Sequence, residues 1–234
     1  GIALSTDQNP RHGLIDPYWG GVNAVVEAMR NVAAVGATPH ALSDCLCFGN
    51  PEKPHQMWEF VESVRGVADA CNAITLKDNP NHATPIIAGN VSFYNESKNG
   101  AIPPSPIVSC LGRLKDVNKT VPAHFQKSDS VILMIGERKD ELGGSVYYSL
   151  FNELGANIPK PNFEEVKNQI FALTDCIDDG MVLSCHDIAD GGIASALAEM
   201  TFGNEIGCNV KIKSGLASDK ILFSETGGFV LEVS

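Results

Sequence analysis

The chain has 234 residues, 44% of them apolar and 19% charged, enough for one large or two small domains with a true hydrophobic core. Seventeen basic against 28 acidic residues leave a net charge of −11, which repels phosphate backbones and anionic lipid surfaces and argues against nucleic-acid or membrane binding. A phosphorylated small molecule can still be held, provided Mg²⁺ or backbone N–H groups meet its charge.

The chain opens on a strand-like run over residues 2–6. Residues 21–35 place Val22, Val25, Val26, Met29, Val32 and Ala33 on one helical stripe, with Gly36 as a stop. Residues 41–48 predict a buried strand interrupted by one acid, Asp44. Pro51 and Pro54 mark a turn, and Pro54 opens a helix whose stripe runs through Met57, Phe60, Val61, Val64, Ala68 and Cys71. Residues 76–84 are polar and predict a surface loop. Strands follow, one led by Ile86-Ile87 and another over 107–114.

Periodicity lapses over 116–127, around Pro122, and a boundary is expected there: a first domain over 1–116 and a second, incomplete one over 117–234. The second domain predicts strands over 131–135, 181–185 and 229–234. Helices are expected over 145–154 and 163–177, with a third carrying Ile193, Leu197 and Met200 on one face. Strands and helices mix in both segments, so the fold class is α/β or α+β. Gly1 is no initiator Met, and both ends fall inside strand-like runs, so the chain is expected to be an excised piece of a longer protein.

Five of seven cysteines (all but Cys176 and Cys208) lie in apolar or strand-like runs, which favours buried free thiols in a cytoplasmic protein over disulfides. Cys45 and Cys47 have no second pair to complete a zinc site. No apolar run approaches the roughly 18 residues of a membrane span, and no signal peptide is legible.

Three strings carry the chemistry. In Ser43-Asp44-Cys45-Leu46-Cys47-Phe48-Gly49-Asn50-Pro51, the acid inside an apolar strand needs a partner, either local N–H donors or a ligand or cation. In Gly89-Asn90-Val91-Ser92-Phe93-Tyr94-Asn95-Glu96, Gly89 lets a ligand approach the backbone. Asn90 offers a carbonyl oxygen suited to Mg²⁺, and Ser92 a hydroxyl two positions on; a strand-end turn is the competing explanation. In His186-Asp187-Ile188-Ala189-Asp190-Gly191-Gly192, two acids precede a helix, so Asp190 is either its N-cap or part of a cation or phosphate site. No Walker-type loop or Ser-His-Asp arrangement is recognisable.

Taken in order, these strings resemble the synthetase subunits of the phosphoribosylformylglycinamidine synthase family. The match includes Asp16-Pro17-Tyr18-Trp19-Gly20-Gly21 and the continuation Glu52-Lys53-Pro54. The resemblance is to the C-terminal half of the small type, within the wider aminoimidazole ribotide synthetase superfamily, and covers nearly the whole chain. It implies a domain whose sheet pairs with a second copy, followed by an α/β domain. The implied reaction activates the amide oxygen of formylglycinamide ribonucleotide with ATP, after which ammonia displaces phosphate to give the amidine.

The resemblance implies Asp44 and Gly89 in ATP binding, Asn90 as a Mg²⁺ ligand and Ser92 at the substrate, with no catalytic residue in this chain. The implied partners are the missing N-terminal half, a glutaminase subunit, a small accessory subunit and the phosphorylated ribonucleotide. The chain alone is expected to pair as a homodimer through its open sheet. Cys47 stands where the family carries Asn, Ala88 where it carries Gly, and Thr226-Gly227-Gly228 departs from the family's continuation. The rival readings are a stand-alone kinase or synthetase of the superfamily and a non-catalytic nucleotide-holding scaffold.

Overall fold

The computed structural model describes residues 1–234. Strand β1 (Ile2–Asp7) leads through helix α1 (Pro10–Ile15) into the long helix α2 (Pro17–Ala34). Asn9 accepts from the N–H groups of Arg11 and His12, and Asp16 from those of Tyr18 and Trp19. A proline follows each cap, so both helices start where their first donors are already satisfied. Strand β2 (Thr38–Cys47) precedes α3 (Pro54–Ala73), which Pro54 opens as expected.

The polar stretch after α3 is a correction to the predicted loop. Short strands β3 (Thr75–Leu76) and β4 (Asn79–Ala83) pair there as a hairpin, and its polar side chains hid it from a periodicity reading. Strand β5 (Ile86–Ser92), a second small hairpin β6 (Glu96–Ser97) and β7 (Gly100–Ala101), and β8 (Ser105–Arg113) complete the first half.

The first sheet has the order β1-β8-β2-β5 and is antiparallel except for β2 with β5. That one parallel pair needs a crossover connection, which α3 provides. The helix side of the sheet buries Leu42, Val108 and Cys110. The other face is uncovered: Ile2 and Leu4 are 69% and 73% exposed, and Leu111 and Ile107 are half-exposed beside them.

The second half contains β9 (Val131–Ile135), α4 (Val146–Ser149), α5 (Phe163–Asp178), β10 (Val182–Asp187), α6 (Gly192–Glu199), α7 (Ser218–Phe223) and β11 (Phe229–Val233). Its sheet is antiparallel, in the order β10-β11-β9. The helix expected over 145–154 is a single turn, α4. Ser145 caps it through the Tyr148 N–H, and Asn152 then takes a left-handed backbone (φ 58°) that no helix continues through.

Helix α2 joins the halves. It is buried on nearly every side, the pattern of a helix enclosed by the core rather than lying on it. One continuous apolar cluster runs from Met29 and Val32 of α2 to Ile170, Leu173 and Ile177 of α5 and on to Cys185, Phe229 and Leu231 of the second sheet. A smaller cluster around Phe125, Ile188, Met200 and Val230 sits under α6. Two mainly antiparallel sheets packed around shared helices make the architecture α+β. All seven cysteines are free; Cys71, Cys110 and Cys185 are buried, while Cys45, Cys47 and Cys176 are half-buried. No helix is long and apolar enough to cross a membrane.

Candidate functional site

The strings that run from Ser43 to Pro54 and from Gly89 to Glu96 meet at one corner of the first sheet. Backbone bonds close it: Phe48 N–H to Ser92 O at 2.9 Å, Tyr94 N–H to Gly49 O at 2.9 Å and Asn95 N–H to Phe48 O at 3.1 Å. The Asn95 amide nitrogen donates to the carbonyls of Phe48 (3.0 Å) and Ser92 (2.8 Å), and Lys53 pairs with Glu96 at 2.6 Å. Phe60 of α3 stacks edge-on between Phe48 and Phe93, with ring centroids 5.3 and 5.0 Å away. Much of what makes these strings distinctive is therefore the joint itself.

The remaining polar groups are arranged around that joint. In the parallel register Asp44 lies opposite Gly89, Cys45 opposite Asn90, and Cys47 opposite Ser92. Side chains alternate along a strand, so Asp44 and Gly89 share the helix side while Asn90 and Ser92 share the open face. Asn90 is interior to β5 rather than at its end, because the strand runs on to Ser92.

A Cβ on Gly89 would stand 2.9 Å from Asp44 Cγ, so the glycine leaves room for that carboxylate. Burial raises the Asp44 carboxyl above its ordinary value, and the Asn90 backbone N–H opposes the rise. Ser92 Oγ lies 3.0 Å from the Asn95 amide nitrogen and is partly committed to the turn. Asn90 is exposed, and its side chain makes no hydrogen bond, so its carbonyl oxygen is available.

The third string lies elsewhere and corrects one expectation. The N-cap of α6 is Gly191, in left-handed backbone (φ 74°), and no side chain caps the helix, so Asp190 is not its cap. Glu225 ties down the turn before the helix: its Oε1 accepts from the N–H groups of Gly191 and Val146, both at 2.9 Å.

Asp190 stands at the rim of a cleft lined by Glu27 and Asn31 of α2, His186 and Asp187 of β10, and Glu199 of α6. At its base Asn31 donates to Asp7 at 3.2 Å, and His186 bridges Glu199 (2.9 Å) and Asp187 (3.4 Å). The second oxygens of Asp7 and Asp187 are buried without a partner. Burial pushes the Glu27 carboxyl up to about 8 against the pull of Arg30, and Asp7 up to about 6 against its bond from Asn31. The carboxylate of Asp187 holds the His186 imidazole up at about 9.

In this arrangement no three acidic, histidine or cysteine groups converge closely enough to hold a metal ion. Sequence reasoning missed Asp7, Glu27, Asn31 and Glu225, which come from separate segments. The available signal was Glu27, the only acid in the largely buried α2. A cavity of about 740 Å³ lies between β9, α6 and residues 205–213, and none of the nominated residues lines it.

Comparison with known proteins gives these features a family. The AIR synthase related protein N-terminal domain matches residues 1–114, and the corresponding C-terminal domain matches residues 127–234. The phosphoribosylformylglycinamidine synthase subunit PurL of Methanothrix thermoacetophila is 49% identical over 100% of this chain and 31% of its own length. That of Moorella thermoacetica is 41% identical over 99% of this chain and 31% of its own length. The chain thus spans about a third of the length of the curated relatives it matches. Among solved structures, T. maritima PurL complexed with FGAR superimposes with a TM-score of 0.80 at 20% identity, covering 100% of this chain and 38% of that one. The same T. maritima protein is also known complexed with ATP, at a TM-score of 0.62. With the two domain models in tandem over nearly all its residues, this chain belongs to the AIR synthase related family, on the PurL branch of it.

Proposed function

We propose that the chain supplies one part of an ATP-dependent carbon–nitrogen ligase, converting formylglycinamide ribonucleotide, ATP and glutamine-derived ammonia to formylglycinamidine ribonucleotide, ADP and phosphate. The observation that carries this reading is 49% identity to a PurL subunit over the full chain. The two most specific strings are also folded onto each other at the β2–β5 corner. The reaction belongs to the whole protein, with the remaining length supplying the acid–base groups and ammonia delivered by a glutaminase subunit with a small accessory subunit. The divide falls near residue 116, and the setting is the cytoplasm.

At the corner, Asp44 and Gly89 face the nucleotide, Asn90 a Mg²⁺ ion and Ser92 the substrate. Strand β5 is the edge of its sheet and exposed along most of its length, so the two pairs of groups are separated only by one strand. Asn90 fits Mg²⁺ as a single neutral oxygen ligand, since this ion keeps several waters and takes the rest of its shell from substrate phosphates. When bound, the ion neutralises phosphate charge as it develops. The uncovered sheet face bearing Ile2 and Leu4 is the surface that pairs with a second such sheet, in the whole protein or between two copies of this chain.

The test is Asn90→Ala in the whole protein. Its exposed side chain holds no structural bond, so the melting temperature should stay unchanged while apparent Mg²⁺ affinity and turnover fall roughly 10- to 100-fold. An unchanged Mg²⁺ and ATP response would remove Asn90 from the site.

A further inference from the structure

Two arginines are buried side by side where α2 meets the second sheet, and neither has a carboxylate partner. Arg30 of α2 is 5% exposed and Arg138, just after β9, is 6% exposed; the Nε–H of each is enclosed without an acceptor. Arg138 donates its outer nitrogens to the carbonyls of Ser224 and Gly227, and burial together with the Arg30 charge lowers it to about 10. The Arg30 guanidinium donates to no protein acceptor, and it lines a narrow cleft with Gly227, Gly228 and Lys139. We propose that Arg30 and Lys139 hold a phosphate group in this cleft, against the Thr226–Gly228 loop. A buried cation with unused donors is costly, and a phosphate group accepts two guanidinium N–H bonds at once.

The loop permits close approach. Gly227 and Gly228 take left-handed backbone (φ 92° and 117°), and a Cβ on Gly227 would stand 2.7 Å from Arg30 Cζ. Their carbonyls, which would repel an anion, are already engaged by Arg138 and by the Ile188 N–H at 2.8 Å, while their own N–H groups bond to no protein oxygen. The space beside the guanidinium, about 20 Å³, suits a single oxygen. The rest of the group then lies at the rim, where Lys139 is half-buried and pairs with no acid. Of the acids there, Glu137 is exposed, and Glu165 turns along α5 to accept from the Gln169 amide at 2.9 Å. Glu27 and Asp7 feel the Arg30 charge from the far side, yet neither forms an ion pair with it. The ligase reading uses none of the cleft's residues, so the two stand or fall separately.

The experiment titrates the 234-residue chain with sodium phosphate, against sodium chloride of equal ionic strength, by calorimetry and by NMR of the arginine Nε–H signals. Wild type should bind one phosphate and shift the Arg30 signal, while that of the exposed Arg113 stays in place. This readout needs no variant to fold. Arg30→Gln should weaken binding roughly 100-fold and Lys139→Ala roughly 10-fold, the latter with an unchanged melting temperature. Lys98→Ala, the same charge change at an exposed position, should bind as wild type. Ribose 5-phosphate is titrated in parallel: tighter binding than phosphate names a phosphate ester as the ligand, weaker binding names free phosphate, and either supports the site. An Arg30 signal unmoved at saturating phosphate, a loss in Lys98→Ala equal to that in Lys139→Ala, or no uptake of either ligand would overturn the proposal.

Discussion

The β2–β5 corner and the cleft beside β10 are built in opposite ways. The corner is made of two contiguous strings whose backbone groups close on each other, leaving one exposed amide, Asn90, with no internal duty. The cleft brings Glu27 and Asn31 of α2 together with His186 and Asp187 of β10, with Asp7 behind Asn31; Asp187 is buried, Glu27 and Asp7 are half-buried, and Asp7 and Asp187 each keep an unpartnered oxygen. A site made of neutral, exposed groups leaves the fold intact when it is altered. A site made of buried acids couples ligand, proton and stability together.

The largest effect should come from the residue that holds the cleft's loop in place. Glu225→Ala leaves the N–H groups of Gly191 and Val146 without their acceptor, at about 1–3 kcal/mol for each buried donor. Glu225→Gln keeps a carbonyl oxygen and should lose much less, as chemical denaturation of both variants would show. Equal losses would mean that the carboxylate's charge, and not its acceptor geometry, holds the loop.

At the corner, Gly89→Ala drives a methyl group against the Asp44 carboxylate and should cost about 1–3 kcal/mol, a typical cost of overpacking. Adding Asp44→Ala removes the obstacle, so the double variant should regain most of that stability. A double variant no better than the single one would show that Gly89 is required for another reason.

The cleft should reveal itself in pH dependence. Glu27 ionises near 4.5 in the unfolded chain and near 8 in the folded one, so between those values the folded state keeps a proton that the unfolded state has lost. Stability therefore falls as pH rises through this window. His186, raised from 6.5 to about 9, adds stability that declines in the same direction as pH rises from 6.5 to about 9, where its ion pairs are finally lost. Glu27→Gln should melt higher than wild type near pH 8, at roughly 2–4 °C per kcal/mol for a chain of this size, and show little gain near pH 5. The scans belong in chelator, so that no cation answers for the protons. A constant difference across pH would show that Glu27 ionises in the folded cleft as it does in the unfolded chain.

The smallest effect is expected for Asp190→Ala. As an N-cap it would be worth about 1 kcal/mol. Standing at the cleft's rim with Gly191 as the cap, it should change stability by no more than about 0.5 kcal/mol. A loss of a full kcal/mol would restore the capping role.

Much of this molecule can be read in one dimension. Apolar periodicity located α2, α3, α5 and most strands, because a helix or strand that buries one side must repeat at its own period. The corner was legible because its groups lie within two short strings. Where local signals compete with packing, the reading failed. Residues 145–154 have helical composition but turn away at Asn152, and residues 76–84 look like a loop but pair as β3 and β4.

The sequence by itself determined most of the elements, the family strings and the nomination of Asp44, Gly89, Asn90 and Ser92. Only the tertiary structure decided that these four divide between the two faces of the sheet along its β2–β5 pair, since register depends on which strands pair. It also decided that Asp190 caps nothing, because the helix starts one residue later, with Gly191 in left-handed backbone at the cap. The acidic cleft exists only once α2 lies between the two sheets, since no local pattern brings Asp7, Glu27 and Asp187 together. Contacts between distant segments are selected by burial of a shared core, and that is a property of the whole chain.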